Sequence, residues 1–82
     1  MPRSLHDDRY AALVDALIAA RHRAGLTQAE LAARLGRPQS YVAKAETLQR
    51  RLDTIELVDL VAAIGVRFRH EVDGWLVTIS EK

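Results

Sequence analysis

The chain has 82 residues, 49% hydrophobic and 28% charged, which predicts one small folded domain and excludes a disordered chain. It has no cysteine, which excludes disulfide bonds and thiolate metal sites. No apolar run approaches the roughly 20 residues of a membrane span, and the first ten residues lack a signal-peptide core. We therefore expect a cytoplasmic protein with no membrane partner.

The charges are unevenly distributed along the chain, although the formal net charge is only +1. Residues 1–20 carry a net charge of −1, residues 21–51 carry +5, and residues 52–82 carry −3. A basic middle between acidic ends indicates a local anion-binding face. Charge alone leaves open the alternative of an uneven, merely solvating surface.

A first helix is predicted over about residues 5–24. Ser4 is a suitable N-cap, and acidic residues follow in the first turn. Gly25 is a suitable stop. The apolar side chains at helical spacing are Tyr10, Leu13, Val14, Leu17 and Ile18.

Two short helices follow in quick succession. Thr27 and Glu30 form a capping-box pattern, and Gly36 suits the C-terminal end, so a helix is predicted over 28–35. Pro38 fits the N-cap or first position of a third helix, predicted at about 38–47. A short turn at Gly36 and Arg37 therefore separates the two helices.

The rest of the chain predicts a fourth helix and a hairpin. Asp53 and Glu56 form a second capping box, and Gly65 ends the apolar periodicity that follows. From residue 66 the period changes to two, and Asp73-Gly74 is a strong hairpin signal. The predicted cross-strand pairs are Val72 with Trp75, His70 with Val77, and Phe68 with Ile79.

The second and third helices together form a helix-turn-helix arrangement. The later helix of such a pair can lie in the DNA major groove with its first turn against base edges. Gln39 can bond adenine bidentately, and Ser40 can donate or accept a hydrogen bond. Lys44, about one turn further on, can reach guanine or a phosphate. The alternatives are N-terminal capping for Gln39 and Ser40 and a solvated side chain for Lys44.

This stretch resembles the DNA-binding domain of the phage-repressor helix-turn-helix family, also called the xenobiotic-response-element (XRE) type. The resemblance covers about residues 10–66. It is specific because it fixes residue types across four helices. The residues that carry it are Arg21, Gly25, Leu26-Thr27-Gln28, Glu30-Leu31-Ala32, Leu35-Gly36, Gln39-Ser40, Val42, Glu46 and the Leu60-to-Gly65 end of the fourth helix.

The resemblance implies roles for four of these residues. Gln28 matches a glutamine that contacts a phosphate and supports the first glutamine of the recognition helix, which matches Gln39. Arg21 and Glu46 match a pair that links helix one to helix three, so we expect a structural salt bridge. A partly buried pair of this kind would orient the recognition helix more than it would add stability.

Several basic residues surround the predicted recognition helix. Arg37, Arg50 and Arg51 suit phosphate contacts, with surface solubility as the alternative. Tyr41 can touch a thymine methyl or a phosphate, or pack its ring locally. The predicted DNA-binding residues are Gln28, Arg37, Gln39, Ser40, Tyr41, Lys44, Arg50 and Arg51.

The sequence departs from the family pattern at two positions. Leu48 stands where a glycine is common, so the connection after helix three must turn without it. Leu48 is therefore a candidate for burial at an interface. Pro38 stands where a capping serine or threonine is frequent, which bears on where the third helix starts and how Gln39 points.

The hairpin needs a surface to cover, because a lone two-stranded hairpin is marginal in water. We expect it to pair with its copy in a second subunit, since such DNA readers bind as dimers to paired half-sites. Folding back onto helix one or helix four is the alternative. His70 is expected to be an interface residue, not a metal ligand. The predicted dimerisation residues are Phe68, His70, Val72, Trp75, Val77 and Ile79.

The predicted fold is mainly α: a four-to-five-helix, repressor-like helix-turn-helix domain (1–65) and a C-terminal β-hairpin (66–82) in one compact unit. The expected function is a sequence-specific, homodimeric transcriptional regulator that binds double-stranded DNA and most simply acts as a repressor. The alternative is an antitoxin-type subunit that holds a toxin-like partner protein and regulates its own operon. No catalytic constellation, zinc spacing or phosphate loop is present in the sequence, so we expect no enzyme activity, metal or cofactor.

Overall fold

The computed structural model describes residues 7–79, and within that range the chain forms four helices and one antiparallel hairpin. The predicted fold class is confirmed. The elements are α1 (Asp8–Arg23), α2 (Gln28–Leu35), α3 (Gln39–Glu46), α4 (Thr54–Ile64), β1 (Phe68–Val72) and β2 (Trp75–Ile79).

Helices α2 and α4 begin and end where local sequence signals place them. The side chains of Thr27 and Asp53 each accept a hydrogen bond from the backbone N–H of the glutamate three residues later. The side chains of those glutamates, Glu30 and Glu56, accept in turn from the backbone N–H of the cap residue. Each helix then ends at a glycine in the left-handed conformation. These signals are local, which is why the caps and glycine ends of both helices could be predicted from the sequence.

The predicted start of α1 was wrong. The helix begins at Asp8, because the Asp7 carboxylate accepts hydrogen bonds from the backbone N–H groups of Arg9 at 2.9 Å and Tyr10 at 3.4 Å. Asp7 therefore acts as the cap. The predicted cap, Ser4, lies outside the described residues.

Helix α3 is slightly shorter than predicted, with Pro38 as its N-cap and Thr47 as its C-cap. The connection that follows turns at Leu48, whose φ of 63° lies in the left-handed region. That conformation is costly for a branched side chain. The chain thus makes the turn that a glycine would make more easily, and Leu48 is half-buried.

One hydrophobic core joins all four helices and the start of the hairpin. Its fully buried side chains of largest volume are Leu31, Val42 and Val61, from α2, α3 and α4. The other members are Leu17, Ala20, Ala32, Ala45, Leu52, Leu60, Ile64 and Phe68. The helix-turn-helix pair is therefore held by α1 and α4 as a rigid unit.

The hairpin has the predicted register, with Val72 opposite Trp75, His70 opposite Val77, and Phe68 opposite Ile79. Asp73 and Gly74 have φ values of 51° and 83°. Two left-handed residues in a two-residue turn match the right-handed twist of the strands.

The hairpin also packs against its own chain. Phe68 is 3% exposed and belongs to the core, and Arg9 of α1 forms an ion pair with Asp73 at 2.6 Å. Burial decreases toward the turn, where Trp75 is 79% exposed. The set of predicted dimerisation residues is thus divided: the side chain of Phe68 serves the core of its own chain, while Trp75 and Val77 are exposed.

Candidate nucleic-acid interface

The turn between α2 and α3 points the first turn of α3 into solvent. The backbone N–H groups of Gly36 and Arg37 donate to the carbonyl oxygens of Ala33 and Ala32, which closes the end of α2. Pro38 then starts α3 without a side-chain hydrogen bond to its N-terminal N–H groups. Gln39 and Ser40 are exposed in this first turn.

A buried ion pair connects α1 to the recognition helix. Arg21 is 7% exposed, and its Nε and Nη2 atoms lie 2.6 Å and 2.9 Å from the two carboxylate oxygens of Glu46. Its Nη1 atom donates to the backbone carbonyl of Leu26 at 2.8 Å. Two parallel charge-assisted hydrogen bonds fix direction as well as distance, so this pair locks the end of α3 against α1.

The same carboxylate holds the glutamine that opens α2. Gln28 donates from Nε2 to Glu46 Oε1 at 2.8 Å. Gln39 in turn approaches Gln28, with its Nε2 atom 3.5 Å from Gln28 Oε1. The structure therefore brings Gln28 and Gln39 together at the junction of α2 and α3, beside the end of the ion pair.

Tyr41, also in the first turn of α3, contacts two arginines. The guanidinium carbons of Arg37 and Arg50 lie 4.8 Å and 4.9 Å from the centre of its ring. Such contacts stabilise a cation over an aromatic face. Burial and the nearby Glu56 carboxylate raise the pKa of Tyr41, so its hydroxyl stays protonated at neutral pH.

Arg50 is engaged within the protein, although it was predicted to contact phosphate. Its Nη2 atom pairs with the carboxylate of Glu56, the residue that completes the cap of α4. The Asp53 backbone N–H and the Arg50 guanidinium lower the pKa of Glu56, and Glu56 raises the pKa of Arg50. The positive charge of Arg50 is thus paired with a carboxylate of its own chain.

Arg51 is also placed against an aromatic ring. Its guanidinium carbon lies 4.4 Å from the ring centre of Tyr10. The Tyr10 hydroxyl accepts a hydrogen bond from the Leu52 N–H at 2.8 Å and reaches the Arg50 carbonyl at 3.5 Å. Sequence periodicity identified Tyr10 only as a core residue, and nothing in the sequence pattern marked its hydroxyl as an anchor for the connection after α3.

Ser40 and Lys44 complete the exposed surface of α3. Both are exposed, and their separation of four residues places them on one face of the helix. Together with Gln39 they offer an amide, a hydroxyl and an ammonium group, while the first turn of α3 contains no acidic residue. These groups can donate and accept hydrogen bonds on base edges and attract phosphate.

A helix-turn-helix family model matches residues 17–70, more than half of the chain. The chain belongs to the XRE-type helix-turn-helix family. A solved structure, an XRE-family-like protein from Pseudomonas syringae pv. tomato, is 60% identical and superposes with a TM-score of 0.71. The match covers 73% of this chain and 73% of that one. A comparison with curated proteins found no match.

Family membership makes this helix-turn-helix protein a DNA-binding transcriptional regulator. The matched range includes both helices of the motif and the exposed polar residues Gln39, Ser40 and Lys44. Within residues 7–79, no helix of this regulator is long and apolar enough to cross a membrane. No group of three or more potential ligand side chains in the same range could hold a metal ion.

Proposed function

We propose that the protein is a homodimeric repressor that occupies a twofold-symmetric operator, with α3 of each subunit in the major groove. The observation that carries the proposal is the exposed first turn of α3, where Gln39 and Ser40 offer hydrogen-bonding groups without an acidic neighbour. A carboxylate at these positions would be repelled by the DNA phosphates. Base-edge contacts from this turn give sequence selectivity.

Phosphate contacts come from the residues around this turn. Lys44 and Arg37 are exposed cations beside the polar face, and Gln28 sits in the first turn of α2, where the helix dipole favours an anion. Arg50 and Arg51 act mainly by holding Tyr41 and Tyr10 in place. We therefore assign them a supporting role in DNA binding and assign the direct phosphate contacts to Lys44 and Arg37.

The dimer interface that we propose is strand β2. The described sheet has two strands, so one edge of β2 is unpaired. This strand exposes three consecutive large apolar side chains: Trp75 at 79%, Leu76 at 56% and Val77 at 38%. An exposed apolar edge strand favours pairing with another strand. Antiparallel pairing of β2 with its copy brings Trp75 and Val77, which share one face of the strand, next to their counterparts across a twofold axis. It also fixes the separation of the two α3 helices.

Selection of DNA fragments from a random pool by the purified protein tests this function. We expect an enriched pseudopalindromic sequence and a solution mass twice the 9.2 kDa of one chain. Half-sites should be centred one helical turn, about 34 Å, or a multiple of that distance apart. Enrichment of no sequence, or binding by a monomer to an asymmetric site, would contradict the proposal.

The antitoxin-type alternative is favoured by a second apolar surface. Ile55 and Val58 on α4 are 68% and 40% exposed, although the hairpin lies elsewhere. A partner protein could cover them. Purification from the native host separates the two functions: a stoichiometric second chain supports the antitoxin type, and the substitutions Ile55→Ser and Val58→Ser should then release it. A clean homodimer from the host argues against it.

A further inference from the structure

We propose that the buried ion pair between Arg21 and Glu46 determines which end of the Gln39 side-chain amide faces the DNA base. Glu46 is then a positioning residue that sets base preference without touching DNA. The proposal rests on the function proposed above, because it requires Gln39 to lie at a base edge. It assigns to the ion pair a role in specificity in addition to its structural role.

A series of polar contacts leads from Arg21 through Glu46 and Gln28 to Gln39. Arg21 donates twice to Glu46, and Gln28 donates to the same carboxylate at 2.8 Å. The amide nitrogen of Gln39 lies 3.5 Å from the amide oxygen of Gln28. This last contact is long for a hydrogen bond, so the Gln39 side chain is directed but still able to adjust to a base.

Donor and acceptor chemistry gives this series of contacts a direction. An ionised carboxylate only accepts hydrogen bonds and a guanidinium only donates them. Glu46 is therefore always the acceptor and Arg21 always the donor. Gln28 must present its NH₂ group to Glu46, which leaves its carbonyl oxygen toward Gln39. Gln39 must therefore present its NH₂ group to Gln28.

The consequence at the base follows from the groups that remain. Gln39 keeps its carbonyl oxygen and one N–H, in a fixed order along the edge of the amide. The major-groove edge of adenine offers an acceptor at N7 and a donor at N6, which this pair can match. Guanine offers two acceptors, N7 and O6, so one of them would meet the amide oxygen of Gln39. One order of the amide satisfies both groups of adenine, and the reversed order satisfies neither, whereas guanine has one group satisfied in either order. Fixing the order that matches adenine therefore raises the preference for adenine over guanine.

The substitution Glu46→Gln tests the idea with almost no change in shape. The new amide at position 46 has one acceptor oxygen, so it keeps one of the two hydrogen bonds from Arg21. Its NH₂ group can donate to Gln28, which is therefore no longer forced into one orientation. We expect the adenine-to-guanine affinity ratio at the base pair contacted by Gln39 to fall on the order of tenfold. Ratios at other operator positions and the affinity for random DNA should stay within about twofold of wild type if only this amide is freed.

A second-site change should restore the preference. With Glu46→Gln and Gln28→Glu together, the amide at 46 donates to a carboxylate at 28, which again accepts only from Gln39. The adenine-to-guanine ratio should return toward its wild-type value. Overall affinity should fall at all sequences, because a negative charge now lies near phosphate. Relative to Glu46→Gln alone, the double variant then has a higher adenine-to-guanine ratio and a lower overall affinity. A purely structural role of Glu46 does not produce this combination.

Four results decide the matter. Suppose that Gln39→Ala changes the base preference at one operator position while Glu46→Gln leaves it intact. In that case the role proposed for Glu46 is wrong and the proposed function stands. If Gln39→Ala and the control Gln49→Ala both leave every ratio unchanged, the proposed base contact itself fails. If Glu46→Gln does not fold, Gln28→Ala is the second test, because it keeps the ion pair and removes the contact between Glu46 and Gln39 through Gln28. Its adenine-to-guanine affinity ratio should fall as expected for Glu46→Gln. An unchanged ratio in folded Gln28→Ala overturns the proposal.

Discussion

At the scale of single residues, Leu48 carries a cost that the rest of the fold tolerates. Its φ of 63° is unfavourable for a side chain with a Cβ atom. In the middle of a helix or strand, glycine makes the folded protein less stable than alanine does, by about 0.5–1 kcal/mol. Where the backbone has a left-handed conformation, alanine is the less favourable of the two residues. We predict that Leu48→Gly is more stable than Leu48→Ala by about 1 kcal/mol.

Denaturant unfolding of the two variants measures this difference directly. Both lose the same half-buried leucine contacts, so the comparison isolates the backbone term. An alanine variant as stable as the glycine variant would show that the connection relaxes to another conformation.

Lys44 and Arg50 are cations in different environments. Lys44 is an exposed cation on α3, while Arg50 is paired with Glu56 and packed over Tyr41. A cation that contacts a phosphate contributes about one unit to the slope of log affinity against log salt concentration. We predict that Lys44→Ala reduces the slope by about one unit, while Arg50→Ala reduces it less and lowers the melting temperature more.

Binding titrations at several salt concentrations, together with thermal unfolding, test this pair. Arg67→Ala before β1 is the control for loss of one positive charge. If Arg50→Ala flattens the salt slope as much as Lys44→Ala, Arg50 must leave Glu56 and contact phosphate in the complex.

At the scale of elements, the caps of α2 and α4 make stability sensitive to acid. Backbone hydrogen bonds at the caps, from Thr27 to Glu30 and from Asp53 to Glu56, hold the pKa of each glutamate below its ordinary value. Their stabilising contribution is therefore present above the ordinary glutamate pKa of about 4.3 and is lost as the pH falls through the lower, folded-state value. Arg50 adds to the effect at Glu56.

We predict that unfolding curves of wild type between pH 7 and pH 2 shift to lower stability in the acid range, and that Glu56→Gln shifts less. Glutamine can still complete the cap of α4, but it has no proton to gain and no charge to pair with Arg50. Equal acid sensitivity of the two proteins would show that Glu56 does not contribute.

The β2 strand is the element on which dimerisation depends in our account. We predict that Trp75→Glu yields a monomer of 9.2 kDa, because it places a charge in the proposed apolar interface. Ile55→Glu on α4 is the matched control, since it charges another exposed large apolar site, 68% exposed against 79% for Trp75, outside that interface. Light scattering measures both. A Trp75→Glu protein with the mass of two chains would place the interface elsewhere.

The elements also show what the sequence could predict. Capping boxes, the glycine stops and the Asp73-Gly74 turn are local signals, and they gave the bounds of α2 and α4 and the hairpin register. The start of α1 was missed because Ser4 and Asp7 both suit an N-cap, and local pattern does not choose between them. Contacts between distant elements, such as Arg9 with Asp73, have no local signature.

The site was predictable to a similar degree. The polar first turn of α3 and the partners Arg21 and Glu46 could be identified from residue type and family resemblance. That Arg50 would be taken by Glu56 could not, because it depends on how the connection after α3 folds around Tyr10. The sequence thus predicted which residues are chemically able to bind DNA, and packing determines which of them are free to do so.

At the scale of the whole molecule, the hydrophobic core fixes the position of the hairpin relative to the recognition helix α3. Phe68 joins the core that also contains Val42 of α3, so the hairpin is tied to the recognition helix. A dimer formed through β2 therefore sets the distance between its two α3 helices.

In the proposed complex, the first turn of α3 meets base edges in both halves of an operator. This contact is tested most directly by titrating wild type and Gln39→Ala against every single base-pair variant of the selected operator, with Gln49→Ala as the control. We predict that Gln39→Ala loses about 1–3 kcal/mol of discrimination at one base pair in each half-site and keeps the wild-type pattern elsewhere. Identical patterns for Gln39→Ala and wild type would contradict the account.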